Sequence, residues 1–434
     1  MEIEEENSSL VTTTSNKFSD NNSQGVELAT SSFLNDILEE ILFEILSRLP
    51  VKTLLQFSSV SKPWLSLISN PSFAKLYFNR AVNERRTAIF ITAYDPYTSK
   101  RHFLSVPHHS GPVTHLTTLD HTPISLKREF TEAEHLNGLI LFNSGNGFVQ
   151  NNFAFVINPS TRKVFKLPGP ASVPSYTYGK VHICYFFGFN ESTNEHKILN
   201  IRMLDIVSVV PFRPTTIEIM IFCMSSLTWR KIDVDLPFDV TGDDHWYVGT
   251  KRSVCVNSVI YVMLETRNQI LTFDLRTEKF SIINLPIGSF VHQMDKRYWK
   301  KGMNIVTRNH PFLMKINGFL GLICRGLEME YNEIVVWILQ DYENRVWVRE
   351  TVTFSDSWFL LDGPFPLNPV ILRPIPLAQR SLAKDVINVP LFDMDTRSMK
   401  SVEYVLGCQS LRSSSVRFDH VRSYVESICP LKRW

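Results

Sequence analysis

The sequence predicts an α+β multidomain chain: a small N-terminal all-α domain of three to four helices, followed by an all-β propeller of about six blades. Three observations predict it. Apolar residues between positions 37 and 49 fall at helical spacing. After Arg86 that spacing gives way to short runs of Val, Ile, Phe, Tyr and Trp broken by turn residues. Those runs then recur as hairpins at roughly sixty-residue intervals.

A chain of 434 residues exceeds what one core commonly organises, since single cores stop growing near ~250 to 300 residues. The expected boundaries are a tail over 1–30, the helical domain over 31–80, a linker over 81–87 and the β domain over 88–430. The tail is rich in Ser, Thr, Asn and acidic residues, too polar to offset the entropy of ordering, and is expected to be disordered.

In the helical domain, Asn35 or Asp36 is a candidate N-cap. Ile37, Leu38, Ile41, Leu42, Ile45, Leu46 and Leu49 then line one helical face until Pro50 stops the helix. "VKTLLQFSSV" and "SKPWLSLISN" read as two further short helices, with Pro63 at a first-turn position where its missing N–H costs little. "NPSFAKLYFNRAVNER" reads as a fourth. So much apolar surface exceeds what three short helices bury among themselves, and it calls for cover from the β domain or from another protein.

Six segments of the β domain share one layout: "FITAYDPYTSKRHFLSVP", "FVINPSTRKVFKLP", "MIFCMSSLTWRKIDVDLP", "LTFDLRTEKFSIINLP", "VWILQDYENRVWVRETV" and "PLFDMDTRSMKSVEYV". Each is a strand, a turn that often holds Asp or Asn followed by Ser or Thr, and a second strand opening near a bulky residue. Side chains of those turn types bond backbone N–H groups, which suits a hairpin tip. A second kind of hairpin, in "EHLNGLILFN", "SVCVNSVIYVM" and "LMKINGFLGLIC", turns on Asn137-Gly138, Asn257-Ser258 and Asn317-Gly318. One hairpin of each kind makes a four-stranded unit, and six units suit a propeller. Hairpins alone do not fix closure, so a β-sandwich array or two smaller β domains would give the same local pattern.

The net charge of +2 supplies no field for nucleic acid or an anionic membrane, and neither is an expected partner. No run approaches the ~18 to 20 apolar residues of a membrane span, and the acidic start lacks the apolar core of a signal peptide. Six cysteines at wide spacings, several inside apolar runs, read as buried reduced thiols. Cytoplasm or nucleus is the expected location.

Catalysis finds little support. Glycoside cleavage needs two facing carboxylates, and nothing pairs Asp205, Asp233, Asp243, Asp244 or Glu265. His102, His108, His109, His115 and His121 cluster in sequence, but with irregular spacing and no completing ligand. No Gly-x-Ser-x-Gly elbow, phosphate-cradling loop or His-Glu-x-x-His is present, so no catalytic residue, cofactor or metal is expected. Loops with aromatic and basic residues are the candidate contacts for a target protein: Trp246 and Tyr247 in one, Lys296, Arg297, Tyr298 and Trp299 in another.

"ILEEILFEILSRLPVKTLLQFSSVSKPWLSLISNPSFAKLYF" resembles an F-box, the adaptor-binding module of SCF-type cullin-RING ubiquitin ligases. The matching residues are Ile41, Leu42, Ile45 and Leu46, then Leu49-Pro50-Val51, Leu54, Leu55 and Phe57, then Val60, Lys62, Trp64 and Ile68. Ile37-Leu38 stands where relatives usually have Leu-Pro or Ile-Pro, and "QFSSVSKPW" replaces a basic, Cys-containing stretch. "LNGLILFN", "INPSTRKVFKLP", "YFFGFNESTNEHKIL", "SLTWRKI", "VNSVIYVM", "TFDLRTEKFSIINLP" and "LQDYENRVWVRE" resemble, in order, the kelch-like β-propeller associated with the F-box in land-plant proteins. The paired glycines of kelch blades are absent.

The resemblance implies a non-catalytic substrate receptor: a Skp-type adaptor and its cullin complex at the F-box, and an unidentified protein target on the propeller. The adaptor-binding set it implies is Leu42, Leu46, Leu49, Pro50, Val51, Leu54, Leu55, Lys62 and Trp64, with Ile41, Ile45 and Leu49 able to form an internal stripe instead. A scaffold that binds partners without ligase assembly is the alternative, with a propeller hydrolase behind it.

Overall fold

The computed structural model describes residues 39–107, 111–120, 131–144, 147–148, 153–169, 180–205, 216–238, 253–264, 267–289, 311–324, 333–353, 370–371, 386–393, 398–405 and 416–431. The expected tail over 1–30 lies outside them. Two compact units emerge, Met1–Arg80 and Ala81–Trp434.

Helices α1 (residues 39–46), α2 (Val51–Val60), α3 (Lys62–Ile68) and α4 (Pro71–Asn83) follow one another with minimal connections. Pro50 ends α1 and also opens α2, its extended backbone (φ −61°, ψ 149°) occupying the N-cap position. Ser61 caps α3, its hydroxyl accepting the Trp64 N–H, with Pro63 in the first turn. Asn70 accepts the Ser72 N–H at 2.8 Å where α4 begins. α4 runs to Asn83, so residues 81–83 of the stretch expected as a linker are helical, and Thr87 at its end opens β1.

The β unit opens with β1 (Thr87–Asp95), β2 (Lys100–Pro107) and β3 (Thr114–Leu119). Blade two takes β4 (Glu132–Leu136), β5 (Leu139–Asn143), β7 (Ala154–Asn158) and β8 (Lys163–Lys166), while the short β6 (Gly147–Phe148) leaves that blade to pair with β9. Blade three is β9 (Lys180–Asn190), β10 (Glu195–Asp205), β11 (Thr216–Cys223) and β12 (Thr228–Ile232). Blade four is β13 (Ser253–Val256), β14 (Val259–Leu264), β15 (Gln269–Asp274) and β16 (Lys279–Asn284). Blade five is β17 (Phe312–Ile316), β18 (Phe319–Cys324), β19 (Glu333–Asp341) and β20 (Val346–Thr353). Blade six holds β21 (Val370–Ile371), β22 (Val386–Asp393) and β23 (Ser398–Val405), and β24 (Arg417–Val425) returns to pair with β1 in blade one.

Among the described residues, six antiparallel sheets are thus arranged as the blades of a propeller. First strands touch in the sequence β24, β4, β9, β13 and β17, and β21 touches β24. The cores lie between blades. Successive residues of β14 divide between two of them: Val259, Tyr261 and Met263 join the core with blade five, Ile260, Val262 and Leu264 the core with blade three. Continuous apolar runs such as "VIYVML" are what strands covered on both faces require, and a two-layer sandwich would have left one face polar. Gly188 on β9 marks how close the blades come, since a Cβ there would meet Ile260 and Leu275 of blade four under 3 Å away.

The expected unit, one hairpin of each kind, is present in blades two, four and five. Blade three uses "NESTNE" where an Asn-Gly turn was expected, blade one is completed by β24, and blade six has three described strands. Six hairpin turns share a feature the sequence concealed: each ends on a residue with positive φ, namely Ser99, Arg162, Asn194, Leu227, Glu278 and Arg345. None is Gly. Asp95, Asn158, Asn190, Asp274 and Asp341 open these turns and accept N–H groups within them, compensating the strain. Cys223 opens the sixth and has no such oxygen, so Glu195 from the neighbouring strand accepts the Ser225 N–H at 3.0 Å.

Turns also join the blades. Asn190 donates to Leu275 O at 3.2 Å, and the Glu191 N–H donates to the hydroxyl of Ser258 at 2.8 Å. That bond accounts for Ser where a type I′ turn favours Gly: Ser258 holds φ 65° and is buried. Removing the hydroxyl in Ser258→Ala keeps the backbone strain and orphans the Glu191 N–H. The expected cost is about 1–2 kcal/mol, read by equilibrium urea denaturation.

His196 on β10 lies between Phe187 and Phe189 with its Nε2 3.1 Å from Leu136 O of blade two, so the neutral ring donates Nε2–H across the blades. Burial pulls its pKa down to about 4, against the upward pull of that carbonyl and of Glu195. Between about pH 6.5 and 4 the unfolded chain therefore binds a proton that the folded chain refuses, and stability falls as pH falls through this window. Burial lowers His102 and His115 as well, with the same sign. The fully buried ring makes the loss from His196 up to about 3 kcal/mol. His196→Gln keeps a donor and is expected to flatten the pH dependence of the urea midpoint.

Candidate functional site

In the helical unit, Arg80 of α4 is the brace. Its guanidinium donates to Glu44 O at 2.9 Å, to Glu44 Oε1 at 2.6 Å and to the Ser47 hydroxyl, while Arg48 reaches the same carboxylate at 2.7 Å. Hydrogen bonds from Arg48 and then Arg80 hold the Glu44 carboxyl below its ordinary range. Phe43 packs on Phe73 with ring centroids 5.0 Å apart, and Asn70 reaches Glu39 at 3.3 Å. On the other side, Trp64 of α3 lies 5.5 Å from Phe57 of α2.

This bracing decides which apolar stripe faces outward, and it divides the predicted adaptor set. Leu46, Val51 and Leu54 are buried, Leu42, Leu49, Leu55 and Trp64 are half-buried, and Pro50 and Lys62 are exposed. The alternative of an internal stripe does not hold at two of its three positions, for Ile41 is 51% and Ile45 54% exposed. Val60 at 70% and Leu65 at 50% join them as exposed apolar residues of this unit. The two stripes of α1 have the same 3–4 spacing, so the sequence cannot rank them. Docking of Phe73 and Arg80 on Phe43, Glu44 and Ser47 places Ile41 and Ile45 roughly 200° around the helix from Phe43. Leu46, Val51 and Leu54 are therefore turned inward, while Ile41, Ile45, Val60 and Leu65 are large apolar side chains that this unit exposes.

The propeller has two unlike faces. Tips at Asn137-Gly138, Asn257-Ser258 and Asn317-Gly318 lie on one face together with the β9–β10, β15–β16 and β19–β20 turns, because antiparallel connections alternate between the ends of a sheet. Strand β1 begins on that face and β24 ends there, Thr87 pairing with Val425. The β12–β13 and β16–β17 connections leave from and return to strand ends on the other face. Trp246, Tyr247, Lys296, Arg297, Tyr298 and Trp299 belong to those connections and lie outside the described residues. On the same face, at the β1–β2 turn, Tyr97 is an exposed aromatic that the hairpin reading treated only as turn material.

Of the five clustered histidines, His102 and His115 meet through the hydroxyl of Thr118, at 3.0 and 2.9 Å; His108, His109 and His121 lie outside the described residues. No group of three His, Cys, Asp or Glu among the described residues is placed to hold a metal. Among the candidate acids, Asp233 is exposed and the side chains of the others are not described. The described cysteines are free, and burial pushes the thiols of Cys255 and Cys324 up to about 12 and Cys429 to about 11. No described helix is long and apolar enough to cross a membrane.

Residues 34–76 match the family model of the F-box domain, and residues 97–424 match that of the F-box associated beta propeller domain. The chain belongs to this F-box family. Three Arabidopsis thaliana proteins are similar to this chain. F-box protein At2g16450 is 25% identical, covering 74% of this chain and 76% of its own length. F-box protein At2g15640 is 24% identical, covering 74% and 77%. F-box protein At1g30790 is 28% identical, covering 72% and 74%. Both domains indicate a receptor or adaptor family rather than an enzyme family.

Within the F-box, truncating the brace in Arg80→Ala is expected to free α1 from α4. Amide hydrogen exchange over residues 43–47 should quicken about five- to tenfold while the propeller amides keep their protection.

Proposed function

We propose that the chain is the substrate-receptor subunit of an SCF-type cullin-RING ubiquitin ligase. The F-box docks on a Skp-type adaptor, and the propeller binds a target protein that is then ubiquitinated and degraded. The supporting observation is the exposure of Ile41, Ile45, Val60 and Leu65 on the matched F-box, with Leu49 and Trp64 half-buried. Four large apolar side chains exposed on one small unit are what a partner's cover would explain. Trp64 suits an anchor, since large aromatic residues dominate interface energetics.

Target recognition is assigned to the face opposite the start of β1, where Tyr97 stands and from which the connections carrying Trp246 and Trp299 depart. The tight turns of the other face offer little reach. The chemistry of ubiquitin transfer belongs to other subunits.

Affinity capture of the tagged full chain tests the adaptor half. Adaptor and cullin should co-purify with the wild type and fall at least about tenfold when Leu49, Pro50 and Trp64 are all changed to Ala. Failure to recover either subunit, under conditions in which a control F-box protein succeeds, overturns the reading. Proximity labelling with and without proteasome inhibition tests the target half. Proteins labelled only when degradation is blocked, and lost on Tyr97→Ala, are the expected result.

A further inference from the structure

We propose that the ring is closed twice, and that the segment after β24, residues 426–431, is a clasp holding blades one, two and three together. A propeller needs one closure, and pairing of β24 with β1 supplies it. The chain does not stop there.

Beyond Val425 the Glu426 N–H donates to Arg86 O at 3.0 Å, tying the end of the ring to the residue just before it begins. The segment then crosses blade two. The Ser427 N–H donates to the Ser160 hydroxyl at 3.0 Å, and the fully buried Asn158 donates its amide to Ser427 O at 3.1 Å and Cys429 O at 3.0 Å. Asn158 Oδ1 meanwhile accepts the Ser160 and Thr161 N–H groups of its own turn, so one side chain shapes a blade-two hairpin and grips the segment. Ser427 lies directly over the Asn137-Gly138 turn, where a Cβ on Gly138 would fall 2.1 Å from that of Ser427. Gly138 is thus required twice, for its φ of 81° and for this passage.

Leu431 ends the crossing. It is buried in the core between blades two and three, with Leu139, Leu141, Val156 and Phe165 on one side and Phe187 and Phe222 on the other. A backbone bond at one end, a bidentate amide grip in the middle and an apolar anchor at the far end are the parts of a latch. Blades three and four are joined more simply, turn to turn, by Asn190 on Leu275 O and the Glu191 N–H on Ser258, without an added segment crossing between them.

Hydrogen–deuterium exchange of the full chain, compared with Leu431→Ala, Asn158→Ala and a deletion of residues 427–434, tests this. Exchange should quicken about tenfold in β4, β5, β7 and β9 and at Arg86–Thr87, with β14, β15, β18 and β19 unchanged. Leu431→Ala only shortens one side chain, so it gives the same localised readout should the deletion fail to fold. Faster exchange confined to residues 426–431 would overturn the proposal, because the segment would then be a passive tail. Equal acceleration in all blades would overturn it as well, because the residues would then serve general stability.

Discussion

The structure depends on the packing of one sheet against the next on both of its faces. A blade with two apolar faces cannot end at solvent, so each needs a neighbour on both sides, and a ring meets that need without exposed terminal faces. Fully burying a side chain such as Val262 or Phe273 contributes about 1.5–3 kcal/mol, and most residues of the middle strands serve one of two interblade cores. The ring must then be joined where the two ends of the β chain meet. Pairing of β24 with β1 does this, and Tyr404 of blade six, donating to Pro107 O at 2.7 Å, fastens the packing on the blade-one side.

Closure of this kind separates two jobs. Short turns crowd the face where β1 starts, and their side chains are occupied with one another: Asn190 with Leu275, Ser258 with Glu191, Asn158 with the residues after β24. That face is committed to holding the ring. The other is where the β12–β13 and β16–β17 connections leave and return, and where Tyr97 is exposed. In the F-box the same logic runs through Arg80, which secures one side of α1 and leaves Ile41 and Ile45 on the outside.

Much of this was legible in the chain. Helical spacing located α1 to α4, with Pro50 and Pro63 as punctuation, and the Asx-rich turns and Asn-Gly pairs located most hairpins because those residue types act on their own local backbone. Where the local rule was broken, the sequence did not show what stabilises the turn. The turn ending at Leu227 has a Cys where an Asx was expected and borrows Glu195 from an adjoining strand. The hairpin at Asn190–Asn194 lacks Asn-Gly altogether.

What the sequence determined by itself is the order of the units, the periods of their helices and strands, and the apolar character of the strand faces, since all of these are properties of neighbours in the chain. What tertiary structure decided is which apolar residues face outward and how the ring closes. Leu46 and Leu54 are buried and Ile41 and Ile45 are exposed because α4 docks on the opposite side of α1, thirty residues away in sequence. The six hairpins became a propeller, and not a sandwich, because β24 pairs with a strand more than three hundred residues earlier. Period and composition report local preference; choices between equivalent faces and equivalent partners are made only when distant segments compete for the same contact.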